Sequence, residues 1–318
     1  MQKVVVSDNL FEDLEPEQEA LRGVAELVVF REYPGAAAFL EAARDADGVI
    51  SQMAPLRGDV IAQLDRCRVM VRYGVGVDNL DVEAATRKGI VVCNVPDYCT
   101  DDVADHTVTL ALACVRKLPA AIQQLRDGGW GHVMHRPIRR LSALTFGTWG
   151  FGRIARAVHS RAAGFGFRRV AHDPYVPDTA FAGSGVIPVT AETLLAESDV
   201  LALHMPLTAE THHLLNAHTL AKLKRGAIVV NTARGGLIAT DALVAALDTG
   251  GLGGAALDVL ETEPIPADHP LWQRPNVFMT GHLAWYSEEA LRQLQRQVGE
   301  ECARVLRGEP PRSAVNRV

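Results

Sequence analysis

Short apolar runs recur along the chain, each followed by a stretch whose apolar positions fall three and four apart. The first pattern predicts buried strands and the second predicts helices with one apolar face. In the first third, strands are predicted over residues 3–6, 26–30, 48–51, 69–71 and 90–93, with helices over 17–25, 37–46 and 81–88 between them. Strands that alternate with helices imply parallel pairing, because each crossover must carry the chain back to the same end of the sheet.

A long helix is predicted after Asp97-Tyr98-Cys99-Thr100. Thr100 or Asp101 would cap it, Asp101 and Asp102 would face the positive end of its dipole, and Pro119 would stop it beyond Arg116-Lys117. Residues 127–144 are rich in Gly, His and Arg and read as a loop. A second strand–helix series begins at Leu144, with strands near 169–171, 200–203, 227–231, 254–257 and 276–280. An amphipathic helix over 287–306 would return the chain to the first domain. The expected fold is α/β with two doubly wound parallel-sheet domains. One is discontinuous (1–98 and 287–318), and the other spans 99–286.

Composition changes this picture little. Of the 318 residues, 48% are hydrophobic and 22% charged, which is ordinary globular usage. A net charge of −6, with no basic stripe interleaved with aromatics, argues against nucleic acid as a partner. The apolar run at residues 1–6 is too short for a signal peptide or a membrane span. Five scattered cysteines have neither metal-ligand nor disulfide spacing, so no metal is expected, and reduced thiols in a cytoplasmic protein are.

The strongest local chemistry lies in Gly147-Thr148-Trp149-Gly150-Phe151-Gly152-Arg153-Ile154-Ala155. Gly150, Gly152 and Ala155 occupy the three positions of a G-x-G-x-x-G/A turn between strand and helix. The first glycine permits the turn, the second lets backbone approach a pyrophosphate, and the small third residue lets the helix pack on the strand. Asp173 ends the next strand, where a carboxylate would bind ribose hydroxyls and repel a 2′-phosphate. The expected cofactor is therefore NAD rather than NADP.

Three further motifs follow predicted strands: Asn231-Thr232-Ala233-Arg234-Gly235, Ala256-Leu257-Asp258-Val259 before Glu261-Thr262-Glu263-Pro264, and Gly281-His282-Leu283-Ala284-Trp285-Tyr286-Ser287. With Arg72-Tyr73-Gly74-Val75-Gly76-Val77-Asp78-Asn79 and His204-Met205-Pro206, the chain resembles the D-2-hydroxyacid dehydrogenase family, most closely its C-terminal-binding-protein branch. The resemblance implies a Rossmann NAD-binding domain, a flavodoxin-like substrate domain and a 2-oxo acid/2-hydroxy acid pair held in the cleft between them. His282 would exchange the proton, Glu263 would hold its imidazole, and Arg234 would clamp the substrate carboxylate. The cofactor would be held by Gly150, Gly152, Arg153, Ile154, Asp173, His204, Pro206, Thr211, Thr232, Ala233 and Thr107, with Asp258 on the nicotinamide carboxamide. Met53, Arg72, Trp285 and the backbone of Val75 and Gly76 would contact the substrate, with Trp285 favouring an apolar substituent. A homodimer, with residues 127–144 as a candidate contact, is also implied.

Two departures bear on the site. Gly281 stands where the family usually has Pro, which loosens the backbone beside His282, and Leu283 replaces a smaller residue. Neither removes a reacting group. The remaining histidines, including His132, His135, His212 and His213, carry no assigned role. Two other functions fit the same motifs: an NAD-sensing interaction protein, and the same hydride chemistry on a phosphonate or phosphite.

Overall fold

The computed structural model describes residues 1–318, which form two compact units, Met1–Tyr98 with Ser287–Val318 and Cys99–Tyr286. In the first, strands β1 (Gln2–Val6), β2 (Ala25–Val29), β3 (Gly48–Ser51), β4 (Val69–Arg72) and β5 (Val91–Cys93) pair in parallel in the order β2-β1-β3-β4-β5. Helices α1 (Glu15–Leu21), α2 (Ala36–Ala43), α3 (Gly58–Ile61) and α4 (Val82–Arg87) make the crossovers. Helix α1 stops at Leu21 rather than running to residue 25. Gly23, at φ +73°, turns the chain there and Ala25 already begins β2.

The second unit opens with α5 (Thr100–Val115). Its N-cap position is held by Cys99 without a side-chain hydrogen bond, not by Thr100 or Asp101. Asp101 and Asp102 do lie in its first turn. Pro119 is also corrected. It sits in the first turn of a further helix, α6 (Leu118–Arg126), where its missing N–H costs nothing, and the break is made by Lys117 in the left-handed region. Residues 127–144 hold only two short 3-10 turns, Val133–His135 and Leu141–Ala143.

The elements that follow are β6 (Thr145–Trp149), α7 (Arg153–Gly164), β7 (Arg168–His172), β8 (Ile187–Pro188), α8 (Ala191–Glu197), β9 (Val200–Leu203), α9 (Ala217–Leu220), β10 (Ala227–Asn231), α10 (Thr240–Asp248), β11 (Leu252–Leu257) and β12 (Val277–Met279). Seven parallel strands run in the order β12-β11-β10-β9-β6-β7-β8, the doubly wound arrangement of dinucleotide-binding sheets with one added edge strand. Both faces are covered, so central strands such as β9 are buried at every position. The chain then returns to the first unit as α11 (Glu288–Leu306), capped by the Ser287 hydroxyl and packed on α1, β3 and β4.

Candidate active site

Ligands of open α/β sheets bind at the carboxyl ends of strands, where the strand order reverses. In the seven-stranded sheet that point lies between β6 and β9. The turn after β6 places Gly150 at φ +99°, and a Cβ there would lie 2.2 Å from the His204 carbonyl oxygen beyond β9. Only glycine fits. Gly152, by contrast, has open space where its Cβ would be, directly before the first turn of α7 and with no side chain capping that helix. The free N–H groups of a helix start beside open space suit a pyrophosphate. Arg153 and Ile154 form that first turn, and Ala155 is fully buried against the sheet.

Asp173 follows β7. Its carboxylate accepts the N–H of Phe151 at 2.8 Å and that of Tyr175 at 3.0 Å, which ties it to the glycine turn and leaves acceptor capacity for ribose hydroxyls. These features fit a dinucleotide. Other residues expected to line the cofactor take supporting places. Thr107 is fully buried; its hydroxyl donates to Val103 O and accepts from Thr232 at 2.7 Å. Thr211 donates to the Pro206 carbonyl at 2.7 Å and accepts the Thr208 N–H, stitching the loop after β9.

Three loops of the same sheet edge carry the remaining chemistry. After β10, Asn231 accepts the Ala233 N–H and donates to Arg234 O, which shapes the turn that presents Arg234. A Cβ on Gly235 would lie 2.0 Å from the backbone of Leu260, so the turn packs directly on the loop carrying Glu263. Glu263 accepts the Leu260 N–H with one oxygen (2.9 Å) and faces His282 Nδ1 with the other (2.7 Å). Burial alone would raise the Glu263 pKa. The hydrogen bonds from His282 and Leu260 and the charge of Arg234 outweigh it and hold the carboxyl below its usual range. A charged Glu263 fixes the His282 tautomer and turns Nε2 toward any reacting oxygen.

His282 itself sits at φ +55°, a left-handed conformation that costs a non-glycine residue about 1–3 kcal/mol and persists only where neighbours enforce it. The enforcing residue is Asp258. Its carbonyl accepts the His282 N–H at 2.8 Å, and its buried carboxylate accepts the N–H groups of Leu283 and Ala284 at 3.0 Å each and the Thr280 hydroxyl at 2.6 Å. A carboxylate offers about four lone-pair sites, so one acceptor position remains for a cofactor amide. This loop-anchoring work was not visible in the sequence, where Asp258 read only as a cofactor ligand. Trp285 follows the loop, edge-on to Tyr286.

In the first unit the strand order reverses between β1 and β3. Asp8, buried beyond β1, accepts the N–H groups of Gln52, Met53 and Ala54, and Gln52 accepts that of Leu10. These bonds stitch the two switch-point loops and leave Met53 55% and Leu10 80% exposed. Arg72 lies with a guanidinium nitrogen 3.9 Å from the Met53 sulfur and folds over Gly74, where a Cβ would lie 1.7 Å from it. Val75 and Gly76 follow at once. Sequence reasoning missed Leu10 and Asp8; their only signal was an apolar strand ending in Ser7-Asp8-Asn9-Leu10. It also missed His106, whose Nε2 lies 3.0 Å from Thr280 Oγ1.

Comparison with known proteins bears on the family and the fold. Residues 108–284 match the family described as D-isomer specific 2-hydroxyacid dehydrogenase, NAD binding domain. The chain is 40% identical over 318 residues to a D-3-phosphoglycerate dehydrogenase of Methanocaldococcus jannaschii, covering 99% of this chain but only 60% of that protein. It is 38% identical to a glyoxylate reductase of Korarchaeum cryptofilum over 89% of this chain and 86% of that one. Among solved structures, a D-lactate dehydrogenase from Aquifex aeolicus complexed with NAD and lactic acid superposes with a TM-score of 0.87 at 27% identity, over 97% and 96% of the two chains.

Proposed function

The chain belongs to the D-isomer specific 2-hydroxyacid dehydrogenase family, and from that premise we propose that it interconverts a 2-oxo acid and a D-2-hydroxy acid with NAD as cofactor. The observation that carries this reading is the His282–Glu263 pair at 2.7 Å, on a loop beside the one that presents Arg234. When bound, NADH supplies the hydride. The chain's own residues hold the acid and move the proton. Arg234 offers a planar cationic fork to the substrate carboxylate. His282 donates from Nε2 to the carbonyl oxygen as negative charge develops there, because Nδ1 is committed to Glu263. With its side chain 35% exposed, His282 then regains a proton from solvent. In the oxidative direction the same nitrogen accepts the hydroxyl proton.

Asp173 supports NAD over NADP, since a carboxylate at the ribose repels a 2′-phosphate. Contact with the substrate is also assigned to Trp285 and to Met53, Arg72, Val75 and Gly76; Met53 follows β3, at the switch point of its sheet, and Arg72, Val75 and Gly76 end or follow β4. Trp285 favours an apolar substituent on the 2-oxo acid. The finer likeness to the C-terminal-binding-protein branch rests on motifs spread along the chain, with Ala284-Trp285-Tyr286-Ser287 the last of them. The relatives named above are dehydrogenases and a reductase, so the assignment here is an enzyme of the family at large.

A homodimer is supported by α6 and residues 127–144, where Leu118, Ile122, Leu125, Val133 and Met134 are exposed and Trp130 is 90% exposed. A patch of this kind usually marks an interface. Five buried free cysteines support a reducing, cytoplasmic setting, and no helix is long and apolar enough to cross a membrane.

The test is NADH oxidation, followed by absorbance, with a panel of apolar, aromatic, small and phosphorylated 2-oxo acids. Turnover of at least one member is expected, with apolar members favoured. NADH binding without turnover of any member would overturn the reading.

A further inference from the structure

A chain of hydrogen bonds reaches the His282 loop from a residue that none of the roles above uses. His106, on α5, is only partly exposed, and its Nε2 lies 3.0 Å from Thr280 Oγ1 and 3.6 Å from Asp258 Oδ1. The Thr280 hydroxyl has a single hydrogen, and at 2.6 Å from the Asp258 carboxylate that hydrogen goes to Asp258. Thr280 Oγ1 must then accept from His106, which makes Nε2 of His106 the protonated ring nitrogen. The direction of the chain is therefore His106 to Thr280 to Asp258, and from Asp258 to the backbone of Leu283 and Ala284.

Each link removes a freedom that the next would otherwise have. Thr280 is the last residue before the Gly281–His282 turn, so its hydroxyl anchors the loop at its entry. The Leu283 and Ala284 N–H groups anchor it at its exit. Between them stands His282 in its left-handed conformation, preceded by a glycine that adds no stiffness of its own. A loop with Gly281 in place of a stiffer residue depends more on such anchors.

We propose that His106 is a positioning residue: through Thr280 it orients the Asp258 carboxylate, and Asp258 holds the left-handed turn that aims His282. The proposal rests on the catalytic role assigned to His282, but the link can be measured without turnover. His106→Ala and Thr280→Val each remove one link, and the double variant removes both. His106→Gln keeps a neutral N–H donor at similar reach.

The primary readout is amide hydrogen exchange at Leu283 and Ala284 in the full-length protein. Exchange at these two amides is expected to rise about tenfold in His106→Ala and in Thr280→Val, the scale of a weakened charge-assisted hydrogen bond, with the β10 and β11 amides unchanged. The double variant is expected to match the singles, since both cut one chain, and His106→Gln to restore most of the protection. On a reduced 2-oxo acid, kcat is expected to fall with KM little changed. Wild-type exchange at Leu283 and Ala284 in both single variants would overturn the proposal, as would a double variant whose effect is the product of the singles. Where His106→Ala fails to fold, Thr280→Val and His106→Gln decide by the same two amides. A wild-type protein without turnover overturns the dehydrogenase reading and leaves the exchange result to judge the positioning chain.

Discussion

The Asp258 carbonyl accepts the N–H of His282 at 2.8 Å, so the residue that follows β11 sets the backbone of the residue that would carry the proton beyond β12. The Asp258 carboxylate takes the next two N–H groups, those of Leu283 and Ala284, and the first unit has a counterpart to that second contact. Asp8, following β1, accepts the Met53 N–H at 2.6 Å beyond β3. In both sheets a buried carboxylate at a strand end takes the N–H groups that a neighbouring loop would otherwise leave unpaired. Loops held this way can present a side chain without contributing much packing of their own.

Replacing His282 tests the proton donor. His282→Ala is expected to lower kcat about 10²–10⁴-fold while NADH affinity, read by fluorescence, stays near wild type. Glu263→Gln is expected to lower kcat by less, because an amide can still meet Nδ1 but no longer favours the protonated ring. Unchanged kcat in His282→Ala would remove the mechanism.

Arg234→Lys keeps the charge and loses the fork. KM for the 2-oxo acid is expected to rise by about tenfold or more, the loss of one charge-assisted hydrogen bond, with NADH affinity retained. Steady-state kinetics on the best substrate checks it; a KM near wild type would show that the clamp lies elsewhere.

Asp173→Ala removes both the ribose acceptor and the anchor of the Phe151 N–H. The ratio of kcat/KM for NADH over NADPH is expected to fall, chiefly by a loss with NADH. A ratio equal to that of wild type would refute the assignment of cofactor preference to this carboxylate.

Two histidines under the glycine turn make the second unit acid-sensitive. Burial pushes the His159 pKa down to about 3 and that of His204 down to about 4, and one nitrogen of each ring is buried without a partner. The unfolded chain binds protons at these sites near pH 6.5 while the folded chain does not. Their contribution to stability is therefore complete above pH 6.5 and lost as pH falls toward 4 and 3. Each is expected to cost about 1.4 kcal/mol per pH unit across its window. Urea unfolding from pH 7 to pH 5 should show a falling midpoint, and His159→Gln should flatten the slope. An equal slope in that variant would contradict the account.

Trp130→Asp places a charge in the exposed apolar patch around α6. The variant is expected to shift from dimer to monomer in light scattering at micromolar concentration, with its circular dichroism unchanged. A wild-type protein that is already monomeric would refute the proposed interface.

Local signals carried much of this protein. Apolar runs between helical stretches specify strands buried on both faces, and a strand buried on both faces belongs in a parallel sheet. Gly150 could be read because its tight turn leaves no room for a Cβ, and Gly152 because a pyrophosphate needs open space at the helix start, requirements written in one residue at a time. Periodicity misjudged the helix ends. Pro119 looked like a stop, but proline is equally at home in a first helical turn, and only the left-handed Lys117 told which applied.

What tertiary structure alone decided are the contacts between residues far apart in sequence. Thr107 could be named as a cofactor residue from the sequence, but its hydroxyl contact with Thr232 and its burial could not. Asp258 looked like a ligand and turns out to anchor a loop as well. His106 showed nothing in the sequence, because its meaning depends on Thr280, 174 positions away. Propensity and spacing are properties of neighbours along the chain. A hydrogen bond depends on distance and angle in space, and those exist only once the sheet has brought its strand ends together.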